Sequence, residues 1–303
     1  SGRSSLKEEG DTYLVFNVSY FVFCDKDFVL LSPDKRLSAL EKDGDTLRAL
    51  SVFFSSSLIR YFLFFHSPAW GVERDRVYER DIKQIPIPDF TAEQIANLAA
   101  LQKELATKET SQTWSINDLQ ERLDEKIEGI LNVPKNISIL ARDFVRVRLS
   151  LISGKMMQIA GQPPQESHLL GYGELLRDEL DQFTKGRVHH QVSLTYSLGQ
   201  EMVVCEVVVK NAAQPFDVKV HSVNGRLNAS LSNLNRKLTE QFSQWVYVQR
   251  GLRIFEGPNV YICKTSRLID WTKTQALNDA DDLIAEVLSR NSSDLEVAAN
   301  GAG

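Results

Sequence analysis

The chain has 303 residues, of which 43% are hydrophobic, 25% charged and 9% aromatic, and its formal net charge at pH 7 is −5. This composition supplies enough apolar side chains for roughly two or three compact units and is unlike that of a disordered chain. An acidic balance also argues against a dedicated nucleic-acid binder, so any contact with DNA requires a local cluster of basic residues.

The cysteines and the apolar runs indicate a reducing compartment and no membrane span. Cys24, Cys205 and Cys263 are far apart and have neither zinc-ligand spacing nor the pattern of a disulfide framework. The most apolar run, residues 52–65, is too short for a bilayer and contains Arg60 and several serines. No secretory signal is recognisable at the start. We therefore expect a cytoplasmic protein that does not contact a membrane.

The first half of the chain is predicted to contain short strands followed by helices. Residues 12–32 are rich in valine, phenylalanine and tyrosine and predict two or three strands. Apolar residues at intervals of three and four predict one helix over 45–65. The Ile-Pro-Ile-Pro segment at 85–88 predicts an extended piece. Three further helices are predicted between Thr91, a candidate N-cap, and about residue 151.

The second half has a different pattern, with strands and longer helices after a linker predicted at 160–172. β-branched runs and turn residues predict the strands, and apolar stripes predict the helices. The predicted elements are a short helix at Gly173–Phe183, strands at His190–Ser197, Met202–Lys210 and Pro215–His221, a helix at Leu227–Tyr247, strands at Leu252–Phe255 and Val260–Lys264, and a helix at Thr272–Leu288.

These elements predict an α+β protein in three parts. We expect a small mixed α/β domain at residues 1–90, a helical connector at 91–160, and a second α+β domain at 161–303. The second domain is predicted to contain antiparallel strands and a long helix, and to end in a disordered tail from Ser289.

No catalytic motif is recognisable. The only Pro-Pro pair, Gln162-Pro163-Pro164-Gln165, lacks the flanking residues of an adenine methylase tetrad, and Gly171-Tyr172-Gly173 does not follow a strand as a cofactor-binding turn would. Adjacent side chains on a strand point to opposite faces, so His189 and His190 are not expected to chelate a metal ion together. We assign no catalytic residue, no cofactor site and no metal site to the chain.

The segment from Leu58 to Phe90, followed by Thr91-Ala-Glu-Gln-Ile, resembles the end of a target-recognition domain. Type I specificity subunits and type IIG-like adenine-specific DNA methyltransferases of bacterial restriction–modification and phage-defence systems close this domain similarly. The shared order is a Leu/Ser-patterned helix, a Gly-aromatic loop, an Ile-Pro strand and a long helix; the counterparts here are residues 47–65, Trp70-Gly71, 85–88 and the helix from Glu93-Gln94.

The resemblance covers about residues 12–155 and implies double-stranded DNA as a partner. It also implies a methyltransferase domain or subunit outside this sequence, which would carry the S-adenosylmethionine. Arginine suits guanine edges and phosphates, and serine positions phosphates. The candidate DNA-binding residues are His66, Ser67, Trp70, Arg74, Arg76, Arg80 and Lys83, with a second group at Arg142 and Arg146.

Simpler interpretations stay open for these residues. Glu73, Asp75, Glu79 and Asp81 could neutralise the nearby cations on a solvated surface, with Trp70 in the core. Arg142 and Arg146, four residues apart, could belong to an ordinary solvated helix face.

The sequence therefore predicts the DNA-recognition and partner-docking C-terminal portion of an adenine-specific DNA methyltransferase, without catalytic activity of its own. One alternative is a structural or interaction subunit with no direct DNA contact, which the acidic charge favours. A third is a metal-dependent nuclease around Glu206 and Lys210, although their spacing does not match the usual motif.

Overall fold

The computed structural model describes residues 13–16, 21–25, 28–31, 44–67, 81, 84–110, 115–152, 157–196, 202–222 and 251–300. These residues form an α+β protein, as the sequence predicts. The chain divides into two compact units, residues 1–157 and 158–303.

The first unit contains a three-stranded antiparallel sheet followed by helices. The strands are β1 (Tyr13–Phe16), β2 (Phe21–Asp25) and β3 (Phe28–Leu31). The helices are α1 (Gly44–Phe54), α2 (Ser57–His66), α3 (Ala92–Thr110), α4 (Ile116–Leu131) and α5 (Lys135–Asp143). A π turn (Phe144–Arg148) leads from α5 into α6 (Leu149–Ile152), and α7 (Met157–Gly161) follows at the boundary of the units.

The single helix predicted over 45–65 is wrong, because the chain breaks at Ser55-Ser56 and starts a new helix. The Ser56 hydroxyl accepts a hydrogen bond from the Ile59 amide as the N-cap of α2. The Asp124 carboxylate, on α4, accepts from the Ser57 amide at 2.7 Å and from the Ser57 hydroxyl at 2.6 Å. A carboxylate at a helix N-terminus satisfies free amides and complements the helix dipole, so α4 stabilises this break.

One hydrophobic core joins the helices of the first unit. Its most buried members include Phe53 of α1, Leu98 of α3, and Leu123 and Ile127 of α4. Residues on both sides of position 90, where the sequence predicts a domain boundary, therefore contribute to the same core. Within the described residues no single helix is long and apolar enough to cross a membrane; α1 from Arg48 and α2 pass that test only as a pair bent by 61°.

The second unit contains a five-stranded sheet and helices. The helices are α8 (Glu166–Phe183) and α9 (Lys273–Asn300), with a 3-10 turn at Leu268–Asp270. The strands are β4 (His189–Tyr196), β5 (Met202–Lys210), β6 (Lys219–Ser222), β7 (Gly251–Glu256) and β8 (Asn259–Thr265), in the order β6-β4-β5-β8-β7. The β4–β6 pair is parallel, in contrast to the antiparallel strands expected, and the other pairs are antiparallel.

Two predicted irregular segments are helical. Most of the linker expected at 160–172 lies in α8, in which Leu169 and Tyr172 are fully buried. Gly173 lies so close to the sheet that a Cβ there would come within 2.6 Å of Val218 Cγ1 and 2.8 Å of Leu194 Cδ1. Glycine at position 173 thus permits close packing of this helix on the sheet. The tail predicted from Ser289 is also helical, as far as Asn300; the helix predicted at Leu227–Tyr247 lies outside the described residues.

Candidate interaction surface

The C-terminal end of α2 carries two of the residues predicted to bind DNA. The His66 imidazole is exposed, donates from Nδ1 to the Phe62 carbonyl at 2.8 Å, and stacks on the Phe62 ring with centroids 3.8 Å apart. Ser67 is buried, and its hydroxyl donates to the Asp81 carboxylate at 2.6 Å. His66 is therefore accessible, whereas a DNA contact by Ser67 would require its internal hydrogen bond to be replaced.

A partly exposed group of aromatic side chains lies on α2 and the π turn, and we call it the aromatic surface: Tyr61, Phe64, Phe65 and Phe144. Phe65 is 60% exposed. Its ring centroid lies 4.9 Å from that of Tyr61, 5.2 Å from that of Phe64 and 5.6 Å from that of Phe144. Aromatic rings packed together at a surface are typical of binding sites rather than of a surface that only faces water.

The π turn presents Phe144 and Arg148 together. The Leu149 amide donates to the Phe144 carbonyl five residues earlier, which widens the turn. Residues four apart in such a turn lie on one side, so the Arg148 side chain shares a face with Phe144. Arg148 is exposed and, within the described residues, no acidic side chain pairs with it. The π turn therefore carries an exposed cation on the Phe144 side, about one turn along the chain from that residue.

The predicted second DNA-binding pair, Arg142 and Arg146, consists of two arginines in different environments. Arg142 forms a two-contact pair with Glu128, in which Nε lies 2.8 Å from Oε1. Arg146 Nη2 lies 3.8 Å from Glu121 Oε2, which is too long for a hydrogen bond. Arg146 Nε and Nη2 are both buried atoms without a hydrogen-bond acceptor among the described residues. The Arg142 guanidinium is thus bound by Glu128 within the fold, whereas two N–H donors of Arg146 are buried without an acceptor in the described part of the chain.

The other candidate residues lie outside the described residues: Trp70, Arg74, Arg76, Arg80 and Lys83. Their DNA contacts stay predictions. Sequence reasoning missed the aromatic surface, because helical periodicity predicts only an ordinary apolar stripe for Tyr61 and Phe65. The sequence does carry a signal: residues 61–66 read Tyr-Phe-Leu-Phe-Phe-His. One face of a helix cannot bury so many consecutive large side chains, so some of them must point outward.

The second unit holds a buried histidine–carboxylate cluster that the sequence analysis did not predict. His189 Nδ1 donates to Asp181 Oδ2 at 2.7 Å, and His190 Nδ1 donates to Asp181 Oδ1 at 2.8 Å. Both histidines reach this one carboxylate because Asp181 offers one oxygen to each ring; that they do not chelate a metal ion together stays a prediction. Burial raises the pKa of Asp181, but the hydrogen bonds from both histidines outweigh it and leave that pKa below its usual value.

The remaining candidates for chemistry in the second unit are structural. Lys210 donates to Gln191 rather than to a partner shared with Glu206. Cys205 and Cys263 are free and buried, and burial raises the pKa of both thiols, to about 12 for Cys263. A thiol in such surroundings is a poor nucleophile. In the described part of the chain no group of three or more His, Cys, Asp or Glu side chains could hold a metal ion.

Of the described residues, those of the aromatic surface and the neighbouring arginines combine exposure with chemistry suited to binding. They offer flat apolar rings beside cationic hydrogen-bond donors. Comparisons with protein-family models, with curated proteins and with solved structures give no match to this chain.

Proposed function

We propose that the chain is the DNA-recognition and partner-docking C-terminal portion of a bacterial adenine-specific DNA methyltransferase, in a restriction–modification or phage-defence system. The sequence resemblance, which is carried mainly by residues 58–95, suggests this role. The observation that supports it best is the aromatic surface, with His66 at the end of α2 and the arginines of the π turn beside it. In this proposal, S-adenosylmethionine and the catalytic residues belong to a methyltransferase domain or subunit.

A local excess of basic residues is what DNA binding requires of an acidic chain. The segment 135–152 contains four basic residues, Lys135, Arg142, Arg146 and Arg148, and a single acidic one, Asp143, although Glu128 of α4 pairs with Arg142. Guanidinium groups bind phosphates and guanine edges through paired hydrogen bonds. The chain as a whole carries a net charge of −5, so the affinity is expected to depend strongly on salt and on this local cluster.

The proposal is tested by titrating duplex DNA with the full chain at low salt. The double variant Arg74→Ala/Arg76→Ala removes two predicted contacts, and Arg187→Ala/Lys219→Ala, which changes two exposed basic residues of the second unit, is the charge-matched control. For each arginine–phosphate interaction that is removed, the slope of log affinity against log salt should decrease by about 0.9. An absence of duplex binding, or equal weakening in both double variants, would contradict the proposal.

A structural or interaction subunit without DNA contact is the second candidate. The pairing of Arg142 with Glu128 favours it, because a guanidinium held by a carboxylate is not free for a phosphate. This candidate predicts that the chain forms a stable complex with a methyltransferase partner on a sizing column while binding no DNA. It also predicts that Arg142→Ala lowers the thermal stability, because the variant removes the ion pair with Glu128.

A further inference from the structure

We infer that the aromatic surface is a site for unpaired nucleotides, at which Phe65 stacks on a base and Arg148 of the π turn contacts a neighbouring phosphate. This inference rests on the proposed function and names the form of DNA that this surface takes. It assigns the surface to single-stranded nucleic acid rather than to a protein partner.

The first step is the geometry of Phe65. Its ring is 60% exposed, yet it is held from behind by Tyr61, Phe64 and Phe144 at centroid distances of 4.9 to 5.6 Å. A ring held in this way offers a flat face whose orientation is already set, so stacking costs little side-chain entropy. Every nucleobase has a π-face, so such a platform binds bases with little regard to sequence.

The second step is charge, which separates a nucleic acid from an apolar protein partner. Arg148 shares a face with Phe144 and has no acidic partner within the described residues. Arg146 Nε and Nη2 are buried, and Nη2 faces Glu121, so Arg148 is the arginine of the π turn that is open to a phosphate. A basic side chain near stacking rings is the arrangement that single-strand-binding proteins use.

The third step is that the bases must be unpaired. In a duplex both faces of each base are covered by its neighbours, so a protein ring can stack only where the duplex is opened. A single strand presents its bases without that cost. The aromatic surface should therefore prefer single-stranded DNA, whatever other residues contact the duplex.

The experiment measures fluorescence anisotropy of the full chain with a labelled oligothymidylate of about 16 nucleotides and with a duplex of equal length. Phe65→Ala should weaken single-strand binding by roughly 5- to 150-fold, and Phe65→Tyr should retain it. Phe65→Leu keeps an apolar side chain without a π-face and should weaken binding as Phe65→Ala does. Arg148→Ala should reduce the single-strand salt slope by about 0.7. Phe183→Ala, which removes another exposed ring (43%) in the second unit, is the matched control and should have no effect.

The outcomes separate this inference from the proposed function. Single-strand binding that Phe65→Leu retains in full would mean a merely apolar surface, such as a protein-docking site, and would overturn the inference. Duplex binding that is unaffected by every Phe65 variant, with no preference for the single strand, would also overturn it while leaving the proposed function in place. Absence of binding to either DNA would instead refute the DNA-recognition role itself. Circular dichroism of each variant verifies that the fold is intact.

Discussion

A buried ion pair between Lys264 of β8 and Asp279 of α9 gives the sharpest test of how the second unit is stabilised. Both side chains are only 6% exposed and they contact each other directly. The Tyr172 hydroxyl donates to the same carboxylate at 2.6 Å. The Lys264 ammonium also lies 3.3 Å from the Asp270 carbonyl and 5.5 Å from the centre of the Trp271 ring. The perturbation is Asp279→Ala, which removes the anion and leaves the cation buried.

The expected destabilisation is large because a buried charge without its partner is costly. Removing one member of a buried ion pair lowers the free energy of unfolding by about 3–5 kcal/mol. The carbonyl and the aromatic rings around Lys264 offset only part of this, since neither carries a full negative charge. For a domain of this size each kcal/mol lowers the melting temperature by about 2–4 °C, so a fall of roughly 6–20 °C is expected.

The matched control is Asp282→Ala. Asp282 lies one turn further along α9 and pairs with Arg253 of β7, but its side chain is 55% exposed. An exposed pair contributes about 0–1 kcal/mol, so this variant should change the melting temperature by only a few degrees at most. The triple variant Lys264→Met/Asp279→Leu/Tyr172→Phe replaces the whole polar cluster with apolar groups and should recover most of the stability that Asp279→Ala removes.

The assay is urea unfolding, followed by far-UV circular dichroism and by tryptophan fluorescence, to which the buried Trp271 and three other tryptophans contribute. The decisive quantity is the difference in the free energy of unfolding between the two aspartate variants. Equal small decreases in the free energy of unfolding for Asp279→Ala and Asp282→Ala would refute the reasoning, because burial would then not determine how much an ion pair contributes to stability.

Further variants test the other buried polar contacts. Asp124→Ala should lower the free energy of unfolding by about 2–4 kcal/mol, since it leaves buried donors of Ser57 without an acceptor. Burial raises the pKa of Asp124 despite its hydrogen bonds, so its contribution to stability is full below the ordinary aspartate pKa and falls as the pH rises through the raised value. Asp124→Asn should abolish that dependence in urea titrations between about pH 3 and 7. Asp181 has a lowered pKa, so its carboxylate should stabilise the fold above the ordinary aspartate pKa and cease to do so as the pH falls through the pKa of the folded state. If the free energy of unfolding of Asp181→Asn depended on pH in acid as that of the original chain does, this prediction would be contradicted. Gly173→Ala should cost about 1–3 kcal/mol through overpacking against Val218 and Leu194, whereas Gly171→Ala, which meets only the flexible end of Lys273 at 3.2 Å, should be tolerated in thermal melts.

Local sequence signals correctly predicted several elements that depend on residues close together in the chain. The apolar stripe from Ile116 to Ile130 predicted helix α4 correctly. The Thr91 cap predicted at the start of α3 is confirmed, because the Thr91 hydroxyl accepts a hydrogen bond from the Gln94 backbone amide at 3.2 Å. The hairpin of β7 and β8 turns at Gly257, as its sequence indicated, because glycine tolerates the positive φ of 58° found there. The α+β class follows from such elements, and the sequence by itself determined it.

Only the tertiary structure decided which side chains meet and which remain at the surface. Asp124 divides the predicted long helix into α1 and α2 although it lies 67 residues away from Ser57, and Asp279 accepts from Tyr172 across 107 residues. The aromatic surface likewise forms because packing brings Phe144 of the π turn against Phe65 of α2. Periodicity predicts which face of an element is apolar, but the partner of that face is set by contacts between residues far apart in the chain.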